Sequence, residues 1–231
     1  MPSTESPSQT AAPAALADAP HLSTRRLDDL ADRVRRATPA ASPASTDASG
    51  ESDAPGDAID VFAPATTERL GSVPACDAAD VAAAVERARS AQVEWEAVPA
   101  TERAALVDRF GDLVLEHREE LLDLLQLETG KSRRTAVEEL FDVPTGCSYV
   151  ASEAPGALAE ERRRGVLPGL ATATVTYDPV GVVGVVSPWN YPLTLSMADA
   201  LPALAAGNAV VVKPDEKTPY GALALSELLE V

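Results

Sequence analysis

Asn190 stands just past an all-apolar run, Val182-Val183-Gly184-Val185-Val186, inside the string Ser187-Pro188-Trp189-Asn190-Tyr191-Pro192. Such a run reads as a strand covered on both faces, the habit of parallel sheets in α/β proteins. Ligands of those sheets sit just beyond the carboxyl ends of the strands. Asn190 lies there, in a loop stiffened by Pro188 and Pro192. Its amide can donate to a reacting group, or it can cap the turn that follows. A second apolar run over 209–212 ends at Lys213-Pro214-Asp215-Glu216. An ammonium and a carboxylate occupy the equivalent place there, as a ligand-holding pair or as an ordinary solvated one.

These residues need a frame. The stretch 193–206 reads as one helix stopped by Gly207-Asn208, which makes a βαβ unit. Upstream, 59–62 and 69–73 read as short strands around a turn. Asp77 is a helix cap, with Val81, Ala84, Val85 and Ala88 on one face of the helix behind it. Thr101 opens another helix, with Leu106, Phe110 and Leu113 at i, i+4 and i+7. A third runs from Arg118 to a left-handed stop at Gly130, and a fourth covers 134–149. Residues 172–177 alternate as a half-exposed strand does. The first 57 residues are dominated by Ala, Pro, Ser, Thr and Asp and bury too little apolar surface to stay ordered. Leu22, Leu27, Leu30 and Val34 behind Ser23 predict one short amphipathic helix there, followed by a linker over 37–57. The predicted organisation is an N-terminal extension over 1–57 and a folded region over 58–231.

The formal net charge of −17 argues against nucleic acid and anionic membranes as partners, because phosphate binding needs a basic stripe. Acids outnumber bases 36 to 19, a balance that suits a halophile's cytoplasm, where salt screens the repulsion. No apolar run approaches the roughly 20 residues that span a bilayer, and the N-terminus lacks the order of a secretory signal. A cytoplasmic location is the expectation. Cys76 and Cys147 show no metal-ligand spacing and read as ordinary small residues, and His21 and His117 are isolated. No Gly-x-Gly-x-x-Gly fingerprint occurs.

Three blocks in order resemble the NAD(P)-dependent aldehyde dehydrogenase family. They are Ser187-Pro188-Trp189-Asn190-Tyr191-Pro192, Leu201-Pro202-Ala203-Leu204-Ala205-Ala206-Gly207-Asn208, and Lys213-Pro214 with Thr218-Pro219. Trp95, Glu102-Arg103 and Glu128-Thr129-Gly130-Lys131 match the family's N-terminal helices, so the resemblance covers about 58–231. It implies an incomplete Rossmann-like parallel sheet of the aldehyde dehydrogenase type, preceded by helices, with 172–177 in an oligomerisation arm. It also implies a reaction in which a cysteine thiolate attacks an aldehyde, hydride leaves to the nicotinamide and water hydrolyses the thioester. Asn190 would then give its side-chain NH₂ to the oxyanion, where losing one such donor costs about 10²–10³ in rate. Ser187, Pro188 and Trp189 would line the groove of NAD or NADP, and Lys213, Pro214, Asp215 and Glu216 would hold its ribose or a phosphate. The family does not rely on the missing glycine fingerprint. Glu128-Thr129-Gly130-Lys131 reads more simply as a helix ending, with Lys131 near the negative end of the dipole.

Val166-Leu167-Pro168-Gly169, Tyr177-Asp178-Pro179 and Asn190-Tyr191-Pro192-Leu193-Thr194 resemble the succinate-semialdehyde dehydrogenase branch most. The resemblance implies a small aldehyde substrate, a homo-oligomer at full length and a slight preference for NAD through Glu216. The family's nucleophilic cysteine and base glutamate lie downstream of this chain, which therefore reads as the first half of an enzyme. The alternatives are a non-catalytic remnant and an enzyme for another aliphatic aldehyde. The charge excess carries its own expectation. Raising salt from roughly 0.1 M to 1 M compacts the chain and raises its melting temperature. Light scattering and thermal melts check this, and a sharp, salt-independent transition would contradict it.

Overall fold

The computed structural model describes residue 14 and residues 19–37, 58–167 and 170–230, the side chains of 34–37 excepted. Most of the predicted extension, the linker beyond residue 37, the Val34 side chain and the pair Pro168-Gly169 lie outside the described residues. Helix α1 (Thr24–Ala37) begins where the Ser23 hydroxyl accepts the Arg26 N–H at 3.1 Å. Its apolar stripe, Leu27, Leu30 and Ala31, is buried in the common core. Arg26 reaches across to Glu120 and Glu227, at 2.5 Å each, and holds the Glu227 carboxyl below its usual range.

Strands β1 (Ala58–Phe62) and β2 (Arg69–Pro74) form an antiparallel hairpin. Four helices follow: α2 (Ala78–Glu96), α3 (Ala100–Glu116), α4 (Arg118–Thr129) and α5 (Arg133–Ala157). Asp77 caps α2 in a reciprocal box with Asp80, as its type predicts. Gly130 ends α4 at φ 71°, the left-handed conformation expected of it. Of the α3 triplet, Phe110 and Leu113 are buried as their spacing suggests, but Leu106 is 54% exposed, because the buried face runs through Arg103, Ala104, Val107 and Val114 as well. Val81 is exposed too, since α2 touches the body mainly through its C-terminal half at Gln92 and Trp95. Helix α5 holds Pro144 within the predicted range and extends past the predicted end at 149 to take up Pro155 as well.

A second antiparallel pair, β3 (Glu161–Arg164) and β4 (Thr172–Val175), faces solvent on most of its residues. The predicted parallel unit is present, but it is not covered on both faces as its apolar run suggested, since Gly184 and Val186 of the first strand are exposed. Strand β5 (Val182–Val186) pairs with β6 (Ala209–Lys213) in parallel register, from Val182 opposite Ala209 to Val186 opposite Lys213. The crossover is two short helices, α6 (Pro192–Met197) and α7 (Ala200–Ala205), instead of the single predicted one. Pro202 explains the break, since its ring excludes the carbonyl of Ala198 four residues earlier and it has no N–H to give. Helix α8 (Pro219–Leu228) closes the described fold. No helix among the described residues is long and apolar enough to cross a membrane.

One contact in the core is tight enough to test. Tyr220 is fully buried, and its hydroxyl has no hydrogen-bond partner among the described residues. A Cβ on Gly71 would stand 2.4 Å from that hydroxyl but 3.5 Å from the ring carbon bearing it. Gly71→Ala should therefore cost about 1–3 kcal/mol by overpacking. Tyr220→Phe should be close to neutral, because the hydroxyl it removes is buried and unsatisfied. The double variant should recover most of the alanine's cost. Urea melts of the four proteins check this cycle, and simple additivity would refute it.

Candidate active site

The site is built from the two loops that leave the carboxyl ends of β5 and β6. They start side by side, because the Ser187 N–H continues the ladder to the Lys213 carbonyl at 3.1 Å. Asn208 braces the other end of the unit. Its Oδ1 accepts the Gly181 N–H and its Nδ2 donates to the Ala203 carbonyl, both at 3.0 Å. The end of α7 is pinned from the N-terminal helices. Arg103 donates to the Ala205 carbonyl at 3.0 Å, Trp95 to Leu204 at 2.8 Å and Gln92 to Gly207 at 3.1 Å. These carbonyls lie at or just past a helix terminus, where the intrahelical ladder runs out and buried acceptors need partners.

The far ends of both loops share one solution. Each following helix starts with a proline, Pro192 or Pro219, and neither cap residue, Tyr191 or Thr218, supplies a side-chain bond. Distant glutamates do so instead. Glu139 on α5, with 0% side-chain exposure, accepts the Leu193 N–H at 2.9 Å. Glu128 at the end of α4 accepts the Tyr220 and Gly221 N–H groups at 2.6 and 2.8 Å. An anion at a helix N-terminus gains from both the free N–H donors and the dipole. Lys131 pairs with Glu139, donates to the Asn190 carbonyl at 2.6 Å and lies 3.9 Å over the Tyr191 ring.

The segment Glu128-Thr129-Gly130-Lys131 is thus more than the helix ending read from the sequence. Gly130 does end α4, but both charged residues reach elements 59 to 93 positions away. Glu139 and Arg103 were likewise missed as site-building residues. Arg103 stood only within a block matching the family's N-terminal helices, with no role attached, and Glu139 only as a charged residue in a helix.

Of the predicted site residues, Ser187 is buried with a hydroxyl that has no partner among the described residues. Pro188, Trp189 and Asn190 are exposed along the first loop. The Thr218 hydroxyl lies 3.5 Å from the Trp189 carbonyl, and the Lys217 ammonium 5.9 Å from its ring, so the loops meet there. Lys213 is exposed and donates only to its neighbour, the Pro214 carbonyl, at 3.1 Å. Asp215 accepts the Lys217 N–H at 2.9 Å, which makes it a turn former. Glu216 is exposed. A hydroxyl, an ammonium and a carboxylate around adjacent strand ends suit a ligand carrying hydroxyl and phosphate groups. Neither cysteine is placed for attack on it. Burial, with Asp108 adding to it, pushes the Cys147 thiol up to about 12, so the nucleophilic thiolate is suppressed. Cys76 lies before α2, its sulfur 4.0 Å from the Pro74 carbonyl.

A family model described as the aldehyde dehydrogenase family matches residues 51–231. The chain belongs to that family. A Mycobacterium tuberculosis protein named as a succinate-semialdehyde dehydrogenase of the NADP(+) type is 51% identical over 164 residues, 71% of this chain and 32% of that protein. An Escherichia coli succinate-semialdehyde dehydrogenase, also named for NADP(+), is 39% identical over 181 residues, 75% of this chain and 36% of its own length. The crystal structure of succinate-semialdehyde dehydrogenase from Burkholderia pseudomallei superposes with a TM-score of 0.70 at 37% identity, covering 75% of this chain and 36% of that one. This aldehyde dehydrogenase chain therefore spans about a third of the length of the curated relatives it matches.

Glu128 carries a pH signature. Burial pushes its carboxyl up to about 8, and the two N–H donors only partly oppose this. Below about pH 4.5 it is protonated whether the chain is folded or not. Between there and about 8 the unfolded chain has lost a proton that the folded chain keeps. Stability from this group therefore falls as pH rises, by at most about 1.4 kcal/mol per pH unit. Glu128→Gln should flatten that decline while costing about 1–3 kcal/mol at pH 5, where one N–H loses its acceptor. Urea melts from pH 5 to 9 check it, and parallel pH profiles for both proteins would refute it.

Proposed function

We propose that the full-length enzyme oxidises an aldehyde to the carboxylic acid with NAD(P), and that succinate semialdehyde is the substrate. The observation that carries this reading is Asn190, an exposed amide beyond the carboxyl end of β5 in a loop secured at both ends. The relatives' names supply the substrate. In this reading the bound dinucleotide accepts the hydride. The chain's own residues do the rest. Asn190 donates its side-chain N–H to the oxygen that becomes negative during attack, and needs no reorganisation to do so. The Ser187 hydroxyl, lacking a partner among the described residues, and the Lys213 ammonium receive the ribose or phosphate oxygens. Pro188 and Trp189 form one wall, and Pro214 with the Asp215 turn presents Glu216. Glu216 accepts from an adenosine 2′-hydroxyl and repels a 2′-phosphate, which favours NAD. The thiolate and the water-activating base come from outside residues 58–231.

We also propose a homo-oligomer. A lone two-stranded hairpin is marginal in water, yet β3 and β4 pair chiefly with each other, beside exposed Val166, Leu170 and Tyr177. A second copy would cover these. The cofactor is a diffusible cytoplasmic dinucleotide, so the cytoplasm is the proposed compartment.

A chimera tests the assignment, with residues 58–231 replacing the matching segment of the 51%-identical mycobacterial relative. It should reduce the dinucleotide when given succinate semialdehyde. Asn190→Ala should lower kcat about 10²–10³-fold with a small change in KM. Glu216→Ser should move kcat/KM toward NADP. Full activity in the alanine variant would overturn the oxyanion role. A chimera that already prefers NADP would overturn the role given to Glu216.

A further inference from the structure

We propose that Lys131 and Glu139 are positioning residues for Asn190, a buried ion pair that fixes the backbone on both sides of it. The inference rests on Asn190 being the oxyanion donor. Lys131 and Glu139 have side-chain exposures of 16% and 0%. An ion pair this deep is weak evidence for added stability, because desolvation offsets much of the attraction. What it does locally is specific. The ammonium binds the Asn190 carbonyl at 2.6 Å, and the carboxylate binds the Leu193 N–H at 2.9 Å. These groups bracket Asn190-Tyr191-Pro192. Pro192 has no N–H, and the Tyr191 ring lies under the same ammonium at 3.9 Å. The segment that aims the Asn190 side chain is therefore clamped from beneath by charge-assisted bonds, which are about twice as strong as neutral ones. An oxyanion donor displaced by about 1 Å loses most of its value.

A second anchor leaves the packing in place when the pair is altered. Thr194 donates to the backbone carbonyl of Glu139 at 3.2 Å and approaches the Asp142 carboxylate at 3.4 Å. Removing the Lys131 charge should therefore loosen the loop without undocking α6 from α5.

The test uses the whole 231-residue chain, labelled for NMR, with Lys131→Met, Lys131→Arg and Glu139→Gln. Lys131→Met should speed amide exchange across 189–194 by about tenfold or more, while amides of α3 and of α5 before residue 139 stay protected. The Asn190 side-chain NH₂ resonances should move toward random-coil positions. Lys131→Arg should restore much of the protection, because it can still reach a carbonyl and a carboxylate. Glu139→Gln keeps an acceptor for Leu193 but loses the charge, and should fall between. Unchanged exchange in Lys131→Met overturns the proposal. So does an equal loss of protection throughout α3 and α5, or a failure of all three variants to fold, since each marks a merely structural pair. The readout needs no substrate. A chimera indifferent to Asn190→Ala alongside a loosened loop here would therefore remove the oxyanion role and leave the clamp standing.

Discussion

Two carboxylates withdrawn from water, Glu128 and Glu139, hold the starts of the two helices that follow the site loops, and the rest of the site depends on them. Each helix opens on a proline with no side-chain cap, so its free N–H groups need an acceptor from elsewhere. Burying a carboxylate is costly unless it is paired and hydrogen-bonded. The two glutamates meet that cost differently. Glu139 has the Lys131 ammonium beside it, whereas Glu128 has two backbone N–H donors and no cation among the described residues. The first loop is consequently held by a fixed charge pair. The second is held by a group whose ionisation burial opposes.

The same division of labour supports the strand pair. A parallel sheet of two strands cannot cover its own faces; α2 packs against both strands, while α3, α4 and α5 pack against the crossover helices and α8. Arg103, Trp95 and Gln92 take the carbonyls at the end of the crossover, while the glutamates take the N–H groups at the two helix starts. The helical N-terminal part is thus a cradle that meets the polar termini of the βαβ unit. Its apolar core, from Leu27 on α1 to Leu225 on α8, is continuous with that unit.

Local patterns in the sequence revealed β5, β6, the position of Asn190, the Asp77 cap and the Gly130 stop. Each depends on neighbours within a few residues, where spacing and residue type decide the geometry. The misses were long-range. Nothing near Arg103 indicates that its guanidinium serves a carbonyl on α7, and Leu106, in helical register with Phe110 and Leu113, is exposed while Arg103 is buried. Pro202 was visible, but the apolar run around it outweighed its known cost to a helix. Glu128 and Lys131 stood next to a clear helix stop, which gave a sufficient local reason for them and hid the distant one.

The lysines show how charge is distributed in this acidic chain. It has nineteen basic residues, and Lys131, Lys213 and Lys217 are its only lysines. All three lie at the two site loops: under Asn190, at the end of β6 and 5.9 Å from the Trp189 ring. Arginines serve elsewhere as multi-pronged ties, as Arg26 and Arg133 do. Lysine is a compact point charge that binds single oxygens and adjusts to its partner. Lys131 is committed to Glu139, which leaves Lys213 and Lys217 as the lysine ammonium groups at the two site loops. Against a net charge of −17, an anionic ligand is repelled by the surface as a whole, and those two groups offset that locally. Asp215 and Glu216 sit between them in sequence, so the local balance at the mouth of β6 is set by four charged side chains. In the proposed reading, selectivity for the ligand's charge would be concentrated there, while Asn190, uncharged and with its backbone carbonyl held by Lys131, would meet the charge that develops only during reaction.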